Sequence, residues 1–379
     1  MKYVTEFRDG ALAAGLAEAI AREVEPGRDY AFMEFCGGHT HAISRYGVAD
    51  LLPANVRLIH GPGCPVCVLP VGRVDMAIRL ALARPEVILC TYADCLRVPA
   101  SDGLSLLKAK ARGAEVRMVY SSADALALAR REPAREVVFF AIGFETTTPP
   151  TALVIRQAAA ENLCNFSVIC NHVLTPPAID ALLSAPAAPG TARPRLDGIL
   201  GPAHVSVIIG SAPYAFAASR HHTPVVITGF EPLDVLQAVR MLVRQTNEGR
   251  AEVENEYTRA VTPEGNRKAQ ALIDAVLELR ETFAWRGLGE ITASALRIRP
   301  AFAAWDAEAK FGIEDRPVPD HKSCECAAIL CGAKGPTDCK LFGTVCTPET
   351  PMGACMVSSE GACAAHYNYG RFRDHPAAP

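Results

Sequence analysis

Long hydrophobic runs are missing from this 379-residue chain: no apolar stretch reaches the roughly 20 residues that span a bilayer, so no membrane association is expected. The opening, MKYVTEFRDGALAAGLAEAIAREVE, sets charges among its apolar positions. It has neither an apolar h-region nor a small-residue cleavage site, which argues against a signal peptide and for a cytoplasmic protein. Lys and Arg form no run, and 38 of them against 41 Asp and Glu leave a formal charge of −3 and a pI near 6.4, so a nucleic-acid partner is not expected. Aromatic residues make up only 7%, too few to suggest a base-stacking platform. The chain lacks a G-x-x-x-x-G-K-[ST] loop, and ATP hydrolysis by a Walker mechanism is not supported. Low complexity is confined to the short end HPAAP.

Apolar residues, by contrast, are half of the chain, enough for a full core and, at this length, about two or three domains. From about residue 55, short β-branched runs alternate with amphipathic helices. VRLIHG (56–61), EVILCTYA (86–93) and EVRMVYS (115–121) read as strands, with helices near 74–84 and 104–112. The rhythm resumes with EVVFFAIGF (136–144), FSVICNH (166–172), LDGILG (196–201), VSVIIG (205–210) and PVVITGF (224–230), with helices near 150–161 and 177–185. Continuous runs of this kind belong to parallel sheets covered on both faces. The expected fold class is therefore α/β, with two related parallel-sheet lobes at 55–134 and 135–230, the first carrying a C-x-x-C motif. SAPAAPGTARPR (184–195) reads as a loop inside the second lobe. From about 231 the pattern turns helical through PLDVLQAVRMLVRQTNEG and NRKAQALIDAVLELRETF. Residues 1–54 and 231–379 are expected to form a third, mostly helical domain from both chain ends. In it the helix at 11–24, with no strand after it to pair with, packs on the helical region.

Cysteine is abundant and unevenly spread. Of 14 in all, Cys324, Cys326, Cys331, Cys339, Cys346, Cys355 and Cys363 fall in the tail. That segment is rich in Gly, Pro and Thr and cannot easily bury an apolar core, so metal–thiolate bonds are expected to fix its loops. In a reduced cytoplasm, clustered thiols signify metal or redox chemistry more often than structural disulfides. Cys326, Cys339, Cys346 and Cys363 are separated by twelve, six and sixteen residues, too far apart for a zinc knuckle and without the ferredoxin run. Spacing alone does not choose iron–sulfur over zinc, and the remaining tail cysteines compete for ligand roles. Cys90, Cys95, Cys164 and Cys170 read as buried small hydrophobes.

Three short segments carry chemistry ahead of the tail. FCGGHTH (35–41) puts Cys36, two glycines, His39 and His41 together; the glycines permit positive φ or close backbone approach, and a nearby imidazolium would favour thiolate at Cys36. A Gly-rich turn before a helix, with Thr40 as a cap, is the plainer alternative. HGPGCPVC (60–67) places Cys64 and Cys67 on a strand-to-helix turn, where the helix N-terminus lowers the first thiol's pKa and the two-residue spacing lets the sulfurs meet. It reads as a redox dithiol or as half of a zinc site. GFETTTPP (143–150) brings Glu145 and three hydroxyls off a strand end, to hydrogen-bond a polar ligand, to bear on a proton, or merely to cap the next helix through Thr148 before Pro149; Glu145 is the one expected to line a site. His172 in NHVLTPP (171–177) and His204 in GPAHV (201–205) stand at further strand ends, where ordinary polar loop contacts explain them as well as a site does.

Taken together, CGGHTHAI (36–43), GPGCPVC (61–67), GFETTTPP (143–150), NHVLTPP (171–177), GFEPLD (229–234) and CKLFGTVCTPETPMGACMVSSEGAC (339–363) closely resemble the HypD family of hydrogenase maturation factors. The resemblance implies that Cys326, Cys339, Cys346 and Cys363 hold a [4Fe–4S] cluster. It further implies a scaffold, monomeric apart from its partners, on which the Fe(CN)2CO unit of [NiFe]-hydrogenase is built in complex with the chaperone HypC. Cys36 would bind the iron, and cyanide would arrive as thiocyanate on HypE, which HypF supplies with a carbamoyl group. Cleaving that S–CN bond takes two electrons, which a Cys64/Cys67 dithiol gives by becoming a disulfide, and a neighbouring cluster would restore it one electron at a time. His39 and His41 would orient ligands or tune Cys36, with Glu145 facing them across the cleft. A freestanding thiol–disulfide oxidoreductase and a zinc-binding adaptor are the alternatives.

Overall fold

The computed structural model describes residues 6–184 and 195–370. The loop expected at 184–195 therefore lies, except for its two ends, outside the described residues, as does HPAAP. Nine strands pair in parallel among them: β1 (Tyr30–Glu34), β2 (Val56–His60), β3 (Val87–Thr91), β4 (Glu115–Met118), β5 (Glu136–Gly143), β6 (Phe166–His172), β7 (Gly198–Pro202), β8 (Val225–Thr228) and β9 (Val253–Asn255). Every residue of β1, β3, β6, β7 and β8 is buried, as parallel sheets with helices on both faces require.

These strands form two sheets, ordered β2-β1-β7-β8-β9 and β4-β3-β5-β6. The expectation of two related lobes holds, because both sheets are wound alike: the second strand lies on one side of the first, and the third and later strands on the other. The sharing-out of strands in chain order does not hold. VRLIHG pairs with β1 rather than with β3, and EVVFFAIGF joins β3, so β3–β6 form a unit set between β2 and β7. Apolar runs signal strand content, but pairing is a long-range property that such runs do not encode.

Two local readings also change. YAFME is β1, the strand between β2 and β7, so the N-terminal helix does have a strand after it. VSVIIG is not a strand; Ala203–Ile209 is a helix that follows β7 directly and stops at Gly210 (φ 85°). A short buried apolar run fits either structure by periodicity, and β7 already fills the strand slot.

The helix Gly10–Glu23, capped by Asp9 onto the Ala11 and Leu12 amides, packs on Pro232–Asn247 as expected. Glu23 accepts from Arg240 (2.6 Å) and Arg244 (2.8 Å). Both helices cover the first sheet, however, with Ile20, Val235 and Val239 in one apolar cluster with Phe32 of β1. A separate helical third domain is thus only loosely realised. Past β9, Arg267–Val276 is helical, but LELRETFAW turns to period-two alternation. It forms β10 (Leu277–Leu279) and β11 (Thr282–Trp285), paired antiparallel with β13 (Leu296–Ile298) and β12 (Gly289–Thr292). No helix among the described residues is long and apolar enough to cross a membrane.

Candidate functional site

Each sheet reverses its strand order once, between β1 and β7 in the first and between β3 and β5 in the second. A crevice opens beyond the carboxyl ends of strands at such a switch point. Here both crevices open into one cleft of about 430 Å³, lined by Cys36 after β1, Gly63 and Pro65 after β2, Asp94 after β3, Thr146 after β5 and His204 after β7. Ser358–Glu360 of the tail close one wall.

Cys36 is half-buried and occupies the N-cap of the helix Gly37–Tyr46. Beneath it lies Glu34, a fully buried carboxyl that accepts from the Cys36 amide (3.0 Å), from Nδ1 of His60 (2.9 Å) and from the Thr40 hydroxyl. Thr40 therefore serves Glu34 rather than capping the helix. The glycines act by close approach, not by positive φ. At Gly37 a Cβ would lie 2.4 Å from Cβ of Glu360, and at Gly63 one would lie 2.3 Å from the Cys36 nitrogen, where the Gly37 amide donates to the Gly63 carbonyl (3.0 Å). The CGGHTH and GPGCPVC motifs are thus pressed backbone to backbone. Burial pushes the Cys36 thiol up, and Glu360 and Glu34 add to it, outweighing the Gly38 and His39 amides. His39 does not supply the expected imidazolium, because burial lowers it to about 4.

The histidines part company. His39 is fully buried, with Nε2 on the carbonyls of Thr228 (2.9 Å) and Gly229 (3.1 Å). His41 turns from the cleft to the tail, edge-on to Tyr369 at 5.3 Å. Glu145 does not line the cleft; it points inward, 3% exposed, and accepts from the Thr175 amide (2.8 Å) and hydroxyl (3.0 Å). Burial raises it to about 7 against those hydrogen bonds. Thr148 forms no cap; its hydroxyl donates to the Phe144 carbonyl (3.0 Å), and the cap position is Thr147. His172 is buried on the Thr151 hydroxyl (2.9 Å), whereas His204 reaches the cleft.

Cys64 and Cys67 flank the first turn of the helix Pro65–Val68 and are joined as a disulfide, with Cα atoms 5.2 Å apart. That helix packs against Ala354–Met356 and Cys326–Leu330, so the dithiol sits beside the tail.

Cys326, Cys339, Cys346 and Cys363 are all buried. The Cys326 thiol neighbours those of Cys324, Cys355 and Cys363, and Cys346 lies within electrostatic reach of Cys339 and Cys363. A Cβ at Gly353 would come within 2.6 Å of the Cys326 sulfur, so a glycine keeps the space beside it open. Soft thiols gathered in this way fit an iron–sulfur cluster in donor chemistry, although no three His, Cys, Asp or Glu side chains among the described residues are already arranged around one metal position. Cys331 instead donates to the Gly287 carbonyl (3.0 Å). Cys90, Cys95 and Cys170 are buried as expected, but Cys164 is exposed.

The sequence alone does not reveal Glu34, Glu360 or Phe230, whose ring stacks on His39 with centroids 4.8 Å apart. A carboxylate at the end of the apolar run YAFME, two residues before Cys36, is a usable signal for the first. The other two reach the site only through folding.

A family model named HypD and described as "Hydrogenase formation hypA family" matches residues 11–370. The chain is 65% identical over 376 residues to the hydrogenase maturation factor HypD of Cupriavidus necator, covering 99% of each chain. It is 67% identical over 374 residues to that of Azotobacter vinelandii (98% of each chain), and 46% identical over 374 residues to that of Escherichia coli K12 (97% of this chain, 98% of the other). With the CGGHTH, GPGCPVC and GFETTT motifs converging on one cleft, these relationships establish that the chain belongs to the HypD family of hydrogenase maturation factors.

Proposed function

We propose that this chain is the scaffold on which the Fe(CN)2CO unit of [NiFe]-hydrogenase is assembled, in complex with HypC and with HypE as transient thiocyanate donor. The observation that carries this reading is the shared cleft: two switch points open on one space, with Cys36 in its wall and the Cys64–Cys67 turn pressed against Cys36 through Gly63. Iron is the cargo. Low-spin iron with diatomic ligands favours soft, electron-donating partners, and the Cys36 thiolate is one. The thiocyanate R–S–CN takes up two electrons and yields R–S⁻ and CN⁻. The Cys64/Cys67 dithiol loses two electrons and two protons and becomes the disulfide. Cys326, Cys339, Cys346 and Cys363 would hold the [4Fe–4S] cluster, which supplies single electrons when bound.

The remaining residues position these groups. Glu34 fixes the Cys36 amide, His39 supports the strand-end carbonyls of Thr228 and Gly229, and Glu145 clamps the turn after β5 to Thr175. His41 anchors the tail's last helix through Tyr369. Anaerobic purification with HypC from cells expressing the whole maturation set tests the reading. Infrared cyanide and CO bands are expected, and a Cys64→Ser/Cys67→Ser variant is expected to retain iron but lose the cyanide bands. A complex without any diatomic bands would instead favour a plain thiol–disulfide oxidoreductase.

A further inference from the structure

Three motifs distant in sequence meet on one aromatic ring. Phe230, from GFEPLD, lies between two imidazoles, its centroid 4.8 Å from that of His39 and 3.8 Å from that of His204, with the planes inclined by 26° and 29°. The same ring rests on Gly38, where a Cβ would come within 2.7 Å of it, and that Cβ position is 3.7 Å from the sulfur of Cys36. Phe230 therefore packs on Gly38, two residues after the thiol-bearing Cys36, and supports His204.

The two imidazoles have different duties. His39 is fully buried and uses Nε2 on two backbone carbonyls, so it acts as a wedge behind Phe230. His204 is carried on the helix that follows β7 and lines the Cys36 cleft. No hydrogen bond to another described residue engages its ring nitrogens. Stacking fixes the plane of the His204 ring while leaving its polar edge for a ligand. An imidazole carries at least one N–H donor whether neutral or charged, so this capacity does not depend on its protonation.

The nitrogen end of an iron-bound cyanide is a good hydrogen-bond acceptor, whereas the oxygen end of bound CO is a poor one. We propose that His204, held flat on Phe230, donates a hydrogen bond to the nitrogen of a cyanide on the Cys36-bound iron, and so distinguishes a cyanide position from the CO position. This rests on the scaffold reading above and adds a cargo-binding residue to it. GFEPLD thereby acquires a role as well, since its phenylalanine is the platform on which the donor is set.

His204→Phe keeps an aromatic ring for the stack and removes the donor; His204→Gln restores an N–H without the ring. Each full-length variant is purified anaerobically with HypC, and far-ultraviolet circular dichroism checks that it is folded. In His204→Phe one cyanide band is expected to shift from its wild-type position more than the CO band does, and His204→Gln is expected to move it part of the way back. Wild-type band positions in His204→Phe would overturn the inference. So would loss of all bands from both folded variants, since shape rather than hydrogen bonding would then be what His204 supplies. Diatomic bands missing from the wild type itself would overturn the scaffold reading instead.

Discussion

At the scale of single residues, the site is governed by what has no side chain and by what is buried without charge. Gly63 is the clearest case, because any Cβ there collides with the backbone of Cys36. Gly63→Ala is expected to cost about 1–3 kcal/mol by overpacking and to displace the Cys36 turn. Denaturant titration together with the alkylation rate of Cys36 checks both effects; an unchanged rate at unchanged stability would contradict the packing described. Glu145 makes a prediction about pH. Its folded value of about 7 lies above the ordinary 4.5, so the unfolded chain releases this proton first as pH rises. Its contribution to stability is therefore whole below about 4.5 and is lost as pH climbs to about 7, an effect on the order of 2–3 kcal/mol. The stability of Glu145→Gln relative to wild type is expected to increase across that window, as read by melting temperature at pH 5 and pH 8. A constant difference would place the Glu145 carboxyl outside the buried environment. Cys36, Cys64 and Cys67 are legible in the sequence because thiols beside glycines at strand ends have few structural uses. The direction of Glu145 is not, since an inward turn toward Thr175 depends on β6 lying next to β5.

Elements show the same division between local and long-range information. Helices expected at 74–84, 104–112, 150–161 and 177–185 form close to where their apolar periodicity puts them, at Val71–Ala83, Leu106–Ala111, Thr148–Ala160 and Thr175–Ser184. YAFME escapes a sequence reading because five residues between charged and Gly-containing flanks carry little pattern, and VSVIIG misleads because short apolar runs are ambiguous. Neither error is visible without knowing that β1 and β7 are neighbours. The N-terminal helix is held on Pro232–Asn247 by apolar packing and also by Glu23, kept at about 2 by hydrogen bonds from Arg240 and Arg244 against a small burial penalty. A depressed carboxyl stabilises above its ordinary 4.5, and this contribution fades as pH falls through about 2. Glu23→Gln is expected to lose about 1–2 kcal/mol at pH 7, discounted for solvent screening of a partly exposed pair. The loss is expected to shrink between pH 4.5 and 2. Urea unfolding at pH 7 and pH 3 reads it, and an equal loss at both would mean that packing rather than charge joins the two helices.

For the whole molecule, the fold class and the family are legible in the sequence, whereas the way two sheets share one cleft is not. Apolar runs show that parallel strands exist; only the winding shows that β3–β6 sit between β2 and β7 and turn their carboxyl ends to Cys36. The tail contributes to that cleft directly, through Glu360 over Gly37, as well as through its buried thiols beside the Cys64–Cys67 helix. The cysteine-rich segment is therefore part of the site's wall. The central claim is that Cys36, where both switch points open, holds the iron cargo. Iron content and infrared spectra of the anaerobic complex with HypC, compared between wild type and Cys36→Ala, test it most directly. The account predicts cyanide and CO bands in wild type and neither in Cys36→Ala, with the tail's iron retained in both. Wild-type bands persisting in Cys36→Ala would contradict it.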